Sequence, residues 1–283
     1  MAGAARFVVV GPGGCGIQVD ESVGEWTEGT GPSVSSGSSK SSVSGLASDS
    51  RDARAGRFAG NAIARAVALA QSGKVQGIVT APIDKATLLA GGYDYPGHTE
   101  MLEHLTGSPT AMMLASSKLR VVLATSHIAL RDVPAALTAE RLARTVRITR
   151  EGMRRVFGID DPRIALCALN PHAGDHGRFG TEDDDLLAPV ARETGVAGPF
   201  PADTVFVRAI RGEFDCVIAP YHDVGMTAIK VASFGEGVNI TLGLPFVRTS
   251  PDHGTALDIA GLGRASAASF IAAIETAVGI LAR

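Results

Sequence analysis

The sequence is poor in the features that mark secreted, membrane-spanning or nucleic-acid-binding chains. It has three cysteines in 283 residues, Cys15, Cys167 and Cys216, and their spacing shows no metal-type pairing, which is typical of a reducing compartment. It contains no run of 18 apolar residues, so we expect no contact with a membrane. The net charge is −3, so we expect no nucleic-acid partner drawn by a basic surface.

The N-terminal stretch contains glycine and serine where helical patterning would be needed. Residues 11–16 match the G-x-G-x-x-G pattern, but a Rossmann site requires a helix directly after that loop, and residues 17–50 show no helical period. We therefore interpret the motif as a glycine-rich turn. The same glycines interrupt the apolar run 7–10, so no signal peptide is expected and we predict a cytoplasmic protein. Residues 33–50 contain ten serines, which predicts a flexible segment.

The remainder of the chain is globular in composition, with 45% apolar and 19% charged residues. Apolar residues at helical spacing predict a helix that ends at Gly73, and Thr138 and Thr181 are candidate N-caps of helices ending at Gly158 and Gly195. A last alanine-rich helix is predicted over 265–281. Short apolar runs predict buried strands at 75–80, 112–115, 119–125, 164–169, 216–219 and 238–242. Because strands and helices alternate, the predicted class is α/β with a largely parallel sheet.

Histidines follow several of these strands. His127, His172 and His222 each lie just after one, and in parallel α/β sheets ligands bind outside the carboxyl ends of the strands. Three such imidazoles could hold one divalent ion such as Zn²⁺. The spacing alone leaves an ordinary capping or loop role equally open for each of them.

A second group of residues is suited to anions. Lys230, Asn239 and Arg248 flank the strand at 238–242, and His98 and Thr99 begin a short helix whose free N–H groups favour an anion. Together they could hold a phosphate and a carboxylate, although solvent-exposed charge is the usual role of Lys and Arg. The glycine-rich loop 250–263 could approach a nucleotide closely, but pattern alone favours a plain turn.

Several long motifs, in order, resemble the 4-hydroxythreonine-4-phosphate dehydrogenase family of pyridoxal 5′-phosphate biosynthesis and its paralogues that act on four-carbon sugar-acid phosphates. The resemblance covers about residues 56–283. The matching stretches are 79–85 (VTAPIDK), 95–100 (YPGHTE), 125–134 (TSHIALRDVP), 169–174 (LNPHAG), 198–204 (GPFPADT), 221–223 (YHD), 237–249 (GVNITLGLPFVRT) and 252–260 (DHGTALDIA).

The resemblance implies roles by position. It implies that a divalent metal (Zn, Mg or Co) is bound by three histidines contributed from both chains of a homodimer, and that a small phosphorylated substrate and NAD or NADP are bound nearby. The implied metal ligands are His127, His172 and His222. The implied substrate contacts are His98, Thr99, Lys230, Asn239 and Arg248. The implied cofactor loop contains His253, Gly254, Ala256 and Asp258.

The implied reaction is the oxidation of a secondary alcohol next to the carbon that bears an amine or hydroxyl and the carboxylate, followed by loss of CO₂. A metal ion would polarise the oxygen. A general base must accept the hydroxyl proton, and Lys85, Asp203 and Asp223 are candidates because each lies in a matched motif. Asp223 follows His222 directly, so it could equally orient a metal ligand.

The family is similar in fold to the isocitrate and isopropylmalate dehydrogenases, which implies two α/β lobes with a cleft between them. We expect residues 1–90 plus 260–283 in the first lobe and residues 91–259, with the metal site, substrate site and dimer interface, in the second. The N-terminal unit is expected to be truncated or degraded, because only Gly16 and Ile17 match the family's first glycine-proline loop.

The sequence leaves three hypotheses about function open. The first is a metal-dependent NAD(P) dehydrogenase of 4-hydroxythreonine 4-phosphate or a related acid such as threonate 4-phosphate. The second is a binding protein that keeps the metal and phosphate sites without redox turnover. The third is a dehydrogenase of an unphosphorylated diol acid, which the full set of predicted anion-binding residues disfavours.

Overall fold

The computed structural model describes residues 5–26, 50–233 and 237–283. The segment 33–50, predicted to be flexible, lies almost wholly outside the described residues. Within the described ranges, no helix has both the length and the apolar character that crossing a membrane requires.

The centre of the fold is a mixed eight-stranded sheet. Its strands, in spatial order, are β3 (Gly77–Val79), β10 (Val247–Pro251), β9 (Val238–Leu242), β4 (Ala111–Ala115), β5 (Arg120–Leu123), β8 (Cys216–Ala219), β6 (Ile164–Cys167) and β7 (Ala197–Phe200). Of the seven pairings between these strands, four are parallel and three are antiparallel. The predicted α/β class is confirmed, and the antiparallel pairs are those that β9 and β4 make.

The strands are buried where the sequence is continuously apolar. Every residue of β6 and β8 is buried, as expected for central strands that are covered on both faces. Both strands also lie within the predicted ranges 164–169 and 216–219. β7 and β10 were not predicted, because Gly198 and Pro199 in one and Arg248 in the other break the apolar pattern.

Helices cover both faces of the sheet. Their bounds are α1 (Arg51–Gln71), α2 (Lys85–Ala90), α3 (His98–Thr106), α4 (Val133–Ala136), α5 (Ala139–Phe157), α6 (Ala188–Thr194), α7 (Ala202–Ile210), α8 (His222–Ser233) and α9 (Ala268–Leu281). Helix α5 begins as predicted, because the Thr138 side chain accepts a hydrogen bond from the Arg141 N–H. It ends at Gly158, whose φ of 68° lies in the left-handed region.

Two glycines let α1 approach the segment that carries α2. A Cβ on Gly56 would lie 1.8 Å from the carbonyl oxygen of Thr87, and one on Gly60 would lie 2.1 Å from the Tyr93 ring. Both glycines are buried. The close packing sets the position of Lys85, the first residue of α2.

The structure tests two local predictions, the glycine-rich turn at residues 11–16 and the helix start at Thr181. The G-x-G-x-x-G stretch forms strand β1 (Val10–Gly13), which is followed by a turn and strand β2 (Glu21–Glu25) rather than a helix, so the Rossmann geometry is absent from residues 5–26. Thr181 directly precedes the first helical residue, Glu182, and its carbonyl oxygen accepts the Asp185 N–H at 2.7 Å, so the helix starts where the sequence predicts. The side chain of Thr181 makes no capping bond among the described residues, and the helix begins with a π-helical turn, Asp183–Leu187.

Candidate functional site

Two histidines meet at the carboxyl ends of neighbouring parallel strands. His127 follows β5 and His222 follows β8, and the centroids of their rings are 5.6 Å apart. The buried Thr125 hydroxyl donates to the carbonyl oxygen of Pro220 at 2.7 Å, which ties the two strand-end loops together. A small cavity of about 120 Å³ opens between the two histidines. The topology therefore brings together two of the three histidines that the sequence singled out.

The surroundings of this pair orient His222 and favour the neutral form of His127. Nδ1 of His222 lies 2.6 Å from a carboxylate oxygen of Asp223, which leaves Nε2 free to face a ligand. Such a carboxylate partner orients histidines that bind metals. Partial burial lowers the pKa of His127, and the positive charge of Lys85 lowers it further, while Glu100 acts in the opposite direction.

The third histidine, His172, lies on a separate and exposed loop. The backbone there is in the left-handed region at His172 (φ 53°), Ala173 (φ 55°), Asp175 (φ 45°) and His176 (φ 56°). Such values are strained for residues other than glycine and often mark functional loops. Within the described ranges, no three histidine, cysteine or acidic side chains of this one chain form a set that could hold a metal ion.

A buried carboxylate holds the start of that loop. Asp183 is fully buried, and its two oxygens accept the backbone N–H groups of Leu169 at 2.8 Å and Asn170 at 2.9 Å. The Asn170 side chain in turn donates to Glu182 at 2.8 Å. These contacts fix the path of the chain from β6 into the His172 loop.

The anion-binding residues converge on a fully buried arginine. Arg248, on β10, is 2% exposed, and its guanidinium donates to the hydroxyls of Thr80 at 2.6 Å and Thr241 at 2.9 Å. Among the described residues, no carboxylate pairs with it. Burial lowers its pKa to about 10, so the group stays charged at neutral pH at a cost in solvation. Its Nε is buried and has no hydrogen-bond partner in the described part of the chain.

Two further polar groups near Arg248 are also without partners among the described residues. Nε2 of His98 and Oδ1 of Asn239 are buried and unbonded. Burial, and then the positive charge of Arg248, lowers the pKa of His98 to about 3, so its ring is neutral at pH 7. Buried polar atoms that lack a partner in the protein are usually satisfied by a ligand or by ordered water. Thr99, beside His98, is partly buried in the first turn of α3.

Lys230, the remaining predicted anion ligand, is half-exposed and forms an ion pair with Asp252 at 3.5 Å. Burial raises the pKa of Asp252, although Lys230 and the nearby His253 and His222 oppose the shift. Because both Lys230 and His222 act electrostatically on Asp252, the Lys230 end of α8 lies close enough to the histidine pair for their charges to interact.

The three candidate bases occupy different places. Lys85 is exposed at the start of α2 and acts electrostatically on His127. Asp223 is mostly exposed beside His222. Asp203 lies in the first turn of α7, and the charge that it exerts is felt at the buried Cys167 of β6.

The predicted cofactor loop lies at the surface. Nδ1 of His253 faces the carbonyl oxygen of Gly254 at 2.8 Å. Ala256 is exposed with a φ of 49°, and Asp258 lies in an exposed 3₁₀ turn, Leu257–Ile259. A Cβ on Gly254 would meet nothing within 4 Å, so this loop is open on its outer side.

The sequence analysis missed several residues of the site because their role depends on packing. These roles are the hydroxyls that accept hydrogen bonds from Arg248, the bond that joins the two strand-end loops, and the carboxylate that holds the His172 loop. All of these residues except Asp183 lie inside matched motifs, and the sequence held no other signal for them. These residues are Thr80, Glu100, Thr125, Asp183, Thr241 and Asp252.

Comparison with known proteins decides the family. A family model described as pyridoxal phosphate biosynthetic protein PdxA matches residues 26–277. The chain belongs to the PdxA family. The 4-hydroxythreonine-4-phosphate dehydrogenase of Paracoccus denitrificans is 52% identical to this PdxA-family chain over 232 residues, which are 78% of the chain and 72% of that protein.

Two further similarities bear on substrate and fold. A Bradyrhizobium diazoefficiens protein provisionally named as a D-threonate 4-phosphate dehydrogenase is 48% identical over 239 residues, 78% of this chain and 69% of its own length. The crystal structure of 4-hydroxythreonine-4-phosphate dehydrogenase from Klebsiella pneumoniae superimposes with a TM-score of 0.75 at 46% identity, over 82% of this chain and 72% of that one. The chain spans 66% to 72% of the length of such curated relatives.

Proposed function

We propose that this PdxA-family chain is a metal-dependent NAD(P) dehydrogenase that oxidises 4-hydroxythreonine 4-phosphate or a related four-carbon acid phosphate such as threonate 4-phosphate. The observation that carries the proposal is the buried Arg248. Within the part of the chain that the structure describes, it has no acidic partner, and nearby polar atoms of His98 and Asn239 lack hydrogen-bond partners. Burial of an unpaired charge is costly, so it is retained where an anion neutralises it. Family membership supplies the class of reaction.

The residues present fit a divalent ion. His127 and His222 supply two neighbouring imidazoles, and Asp223 orients the second through Nδ1. Because no third ligand joins them within the described part of one chain, we propose that His172 of a second copy completes the site in a homodimer. An ion bound there would supply Lewis-acid polarisation of the substrate oxygen.

The chain's own residues divide the remaining work. Arg248, His98, Thr99, Asn239 and Lys230 are proposed to bind the anionic groups of the substrate. The support is the buried charge of Arg248, the buried atoms of His98 and Asn239 that lack partners among the described residues, and the half-exposed charge of Lys230. Neutral His98 can accept or donate a hydrogen bond at pH 7 without adding charge.

Of the candidate bases, Lys85 is the best supported. It acts electrostatically on His127, whereas Asp223 is bonded to His222 and fits a positioning role. Asp203 has no described link to either histidine in the same chain. The nicotinamide, whose proposed contacts are His253, Gly254, Ala256 and Asp258, would supply the hydride acceptor.

The division into two lobes stays a prediction. The eight-stranded sheet joins β3, from the range 1–90, to β10, from the range 91–259, through parallel pairing. A cytoplasmic location and the expected change in the N-terminal unit also remain predictions.

The test is nicotinamide reduction, followed by absorbance, with purified chain, Zn²⁺, Mg²⁺ or Co²⁺, and either phosphorylated acid. We expect turnover that is lost in Arg248→Met and kept in the surface control Arg211→Met. Binding of metal and ligand by calorimetry without any turnover would support the second hypothesis, a binding protein. Equal turnover of unphosphorylated 4-hydroxythreonine would support the third.

A further inference from the structure

One acidic residue in this neighbourhood has no partner for a buried oxygen. Glu100 lies in the first turn of α3, two residues after His98, and its Oε2 is buried with no hydrogen-bond partner among the described residues. The point where a Cβ of Gly97 would lie is 3.3 Å from this oxygen and 3.9 Å from Cε of Lys85. Glu100 also acts electrostatically on His127. The carboxylate therefore lies near His98 and Lys85, and its charge reaches His127.

The charges around Glu100 limit which ligand group can meet it. The cation beside Glu100, Lys85, suits phosphate and carboxylate, whereas Glu100 itself repels both. Lys85 forms no hydrogen bond with the buried Oε2 of Glu100 within the described part of the chain. A buried carboxylate oxygen without a donor is costly, so a donor from the ligand would stabilise it.

We propose that Glu100 accepts a hydrogen bond from the ammonium group on the carbon next to the substrate carboxylate, and so determines the preference for an amine over a hydroxyl at that carbon. This inference rests on the proposed function. An ammonium forms a charge-assisted bond with a carboxylate, roughly twice as strong as the bond of a neutral donor. The two substrates named for the relatives differ at this carbon, since 4-hydroxythreonine carries an amine and threonate a hydroxyl.

The experiment compares wild type with Glu100→Gln. Dissociation constants of 4-hydroxythreonine 4-phosphate and threonate 4-phosphate are measured by calorimetry with Zn²⁺ and without nicotinamide, and turnover is measured separately. We expect Glu100→Gln to weaken the amine ligand about ten- to hundred-fold and the hydroxyl ligand less than about three-fold. Glu140→Gln removes an exposed acidic residue from the first turn of α5, so it controls for the helix dipole and should change neither constant.

The outcomes separate this inference from the proposed function. Equal weakening of both ligands, or none, overturns the role of Glu100 even if wild type turns over. A fall in kcat for both substrates with unchanged binding also overturns it, and assigns Glu100 to proton transfer. If Glu100→Gln changes the binding preference as expected but wild type shows no turnover, the inference is supported and the proposed dehydrogenase activity is rejected. If wild type binds neither ligand, both fail. Should Glu100→Gln not fold, Glu100→Asp, which keeps the charge, should retain the preference for the amine.

Discussion

Replacement of Asp183 tests whether one buried carboxylate holds the His172 loop. Asp183→Asn keeps the shape of the side chain but replaces one of two acceptor oxygens with an NH₂ group. One of the backbone N–H groups now bonded at 2.8 and 2.9 Å then faces a donor. Asp183→Ala removes both acceptors.

The magnitude follows from these two bonds. A buried N–H left without an acceptor costs about 1–3 kcal/mol, so we expect a loss of about 2 kcal/mol in the free energy of unfolding for Asp183→Asn and about 4 kcal/mol for Asp183→Ala. The strained backbone at His172 and Ala173 adds a reason for the loop to open once it is released. Local opening would hydrate the freed N–H groups and reduce the global cost.

Two measurements together distinguish these cases. Urea unfolding gives the global loss, and hydrogen exchange over residues 169–180 reports local opening. Asp184→Asn is the matched control, because the neighbouring Asp184 is exposed, and we expect its effect to stay within about 0.5 kcal/mol. If Asp183→Ala costs less than about 0.5 kcal/mol and leaves exchange of the loop unchanged, the reasoning about the clamp is wrong.

Three further predictions concern the anion site and the packing of α1. Arg248→Met should abolish the rise in melting temperature on addition of inorganic phosphate, and an unchanged rise, as expected for Arg211→Met, would contradict the site. The pKa of His98 is lowered from 6.5 to about 3, so below pH 6.5 the unfolded chain binds a proton that the folded chain does not; the free energy of unfolding then falls by up to about 1.4 kcal/mol per pH unit towards pH 3. In His98→Gln this slope should be shallower, and identical urea-unfolding profiles between pH 6 and 4.5 would refute it. Gly56→Ala should cost about 3 kcal/mol because its Cβ would meet the Thr87 carbonyl, although alanine favours helices by about 1 kcal/mol; a stabilised variant in thermal unfolding would disprove the clash.

Local patterns along the chain predicted much of the fold. The strands β8 and β9 lie where apolar runs predict them, because a strand buried on both faces needs continuous apolar sequence. Helix α5 could be predicted as well, because Thr138 and Gly158 each act within one turn of the helix end that they cap. Such signals depend on neighbours in the chain and need no tertiary contact.

The pairing of strands from distant segments could not be predicted from such local signals. The antiparallel direction of β9 depends on which strands flank it, and an apolar run has the same composition in either direction. The alternation of strands and helices predicted the largely parallel character of the sheet but carried no signal for the three antiparallel pairings that β9 and β4 make.

For the site, the sequence by itself determined the residue types and their places after strands or at the start of α3. It also identified the family, through long motifs such as residues 237–249. Only the tertiary structure decided that His127 meets His222 while His172 lies apart. It also decided that Arg248 is buried without an acidic partner among the described residues. The unbonded oxygen of Glu100 belongs to this second group as well. The physical reason is that burial and hydrogen-bond satisfaction depend on atoms brought together from segments far apart in the chain.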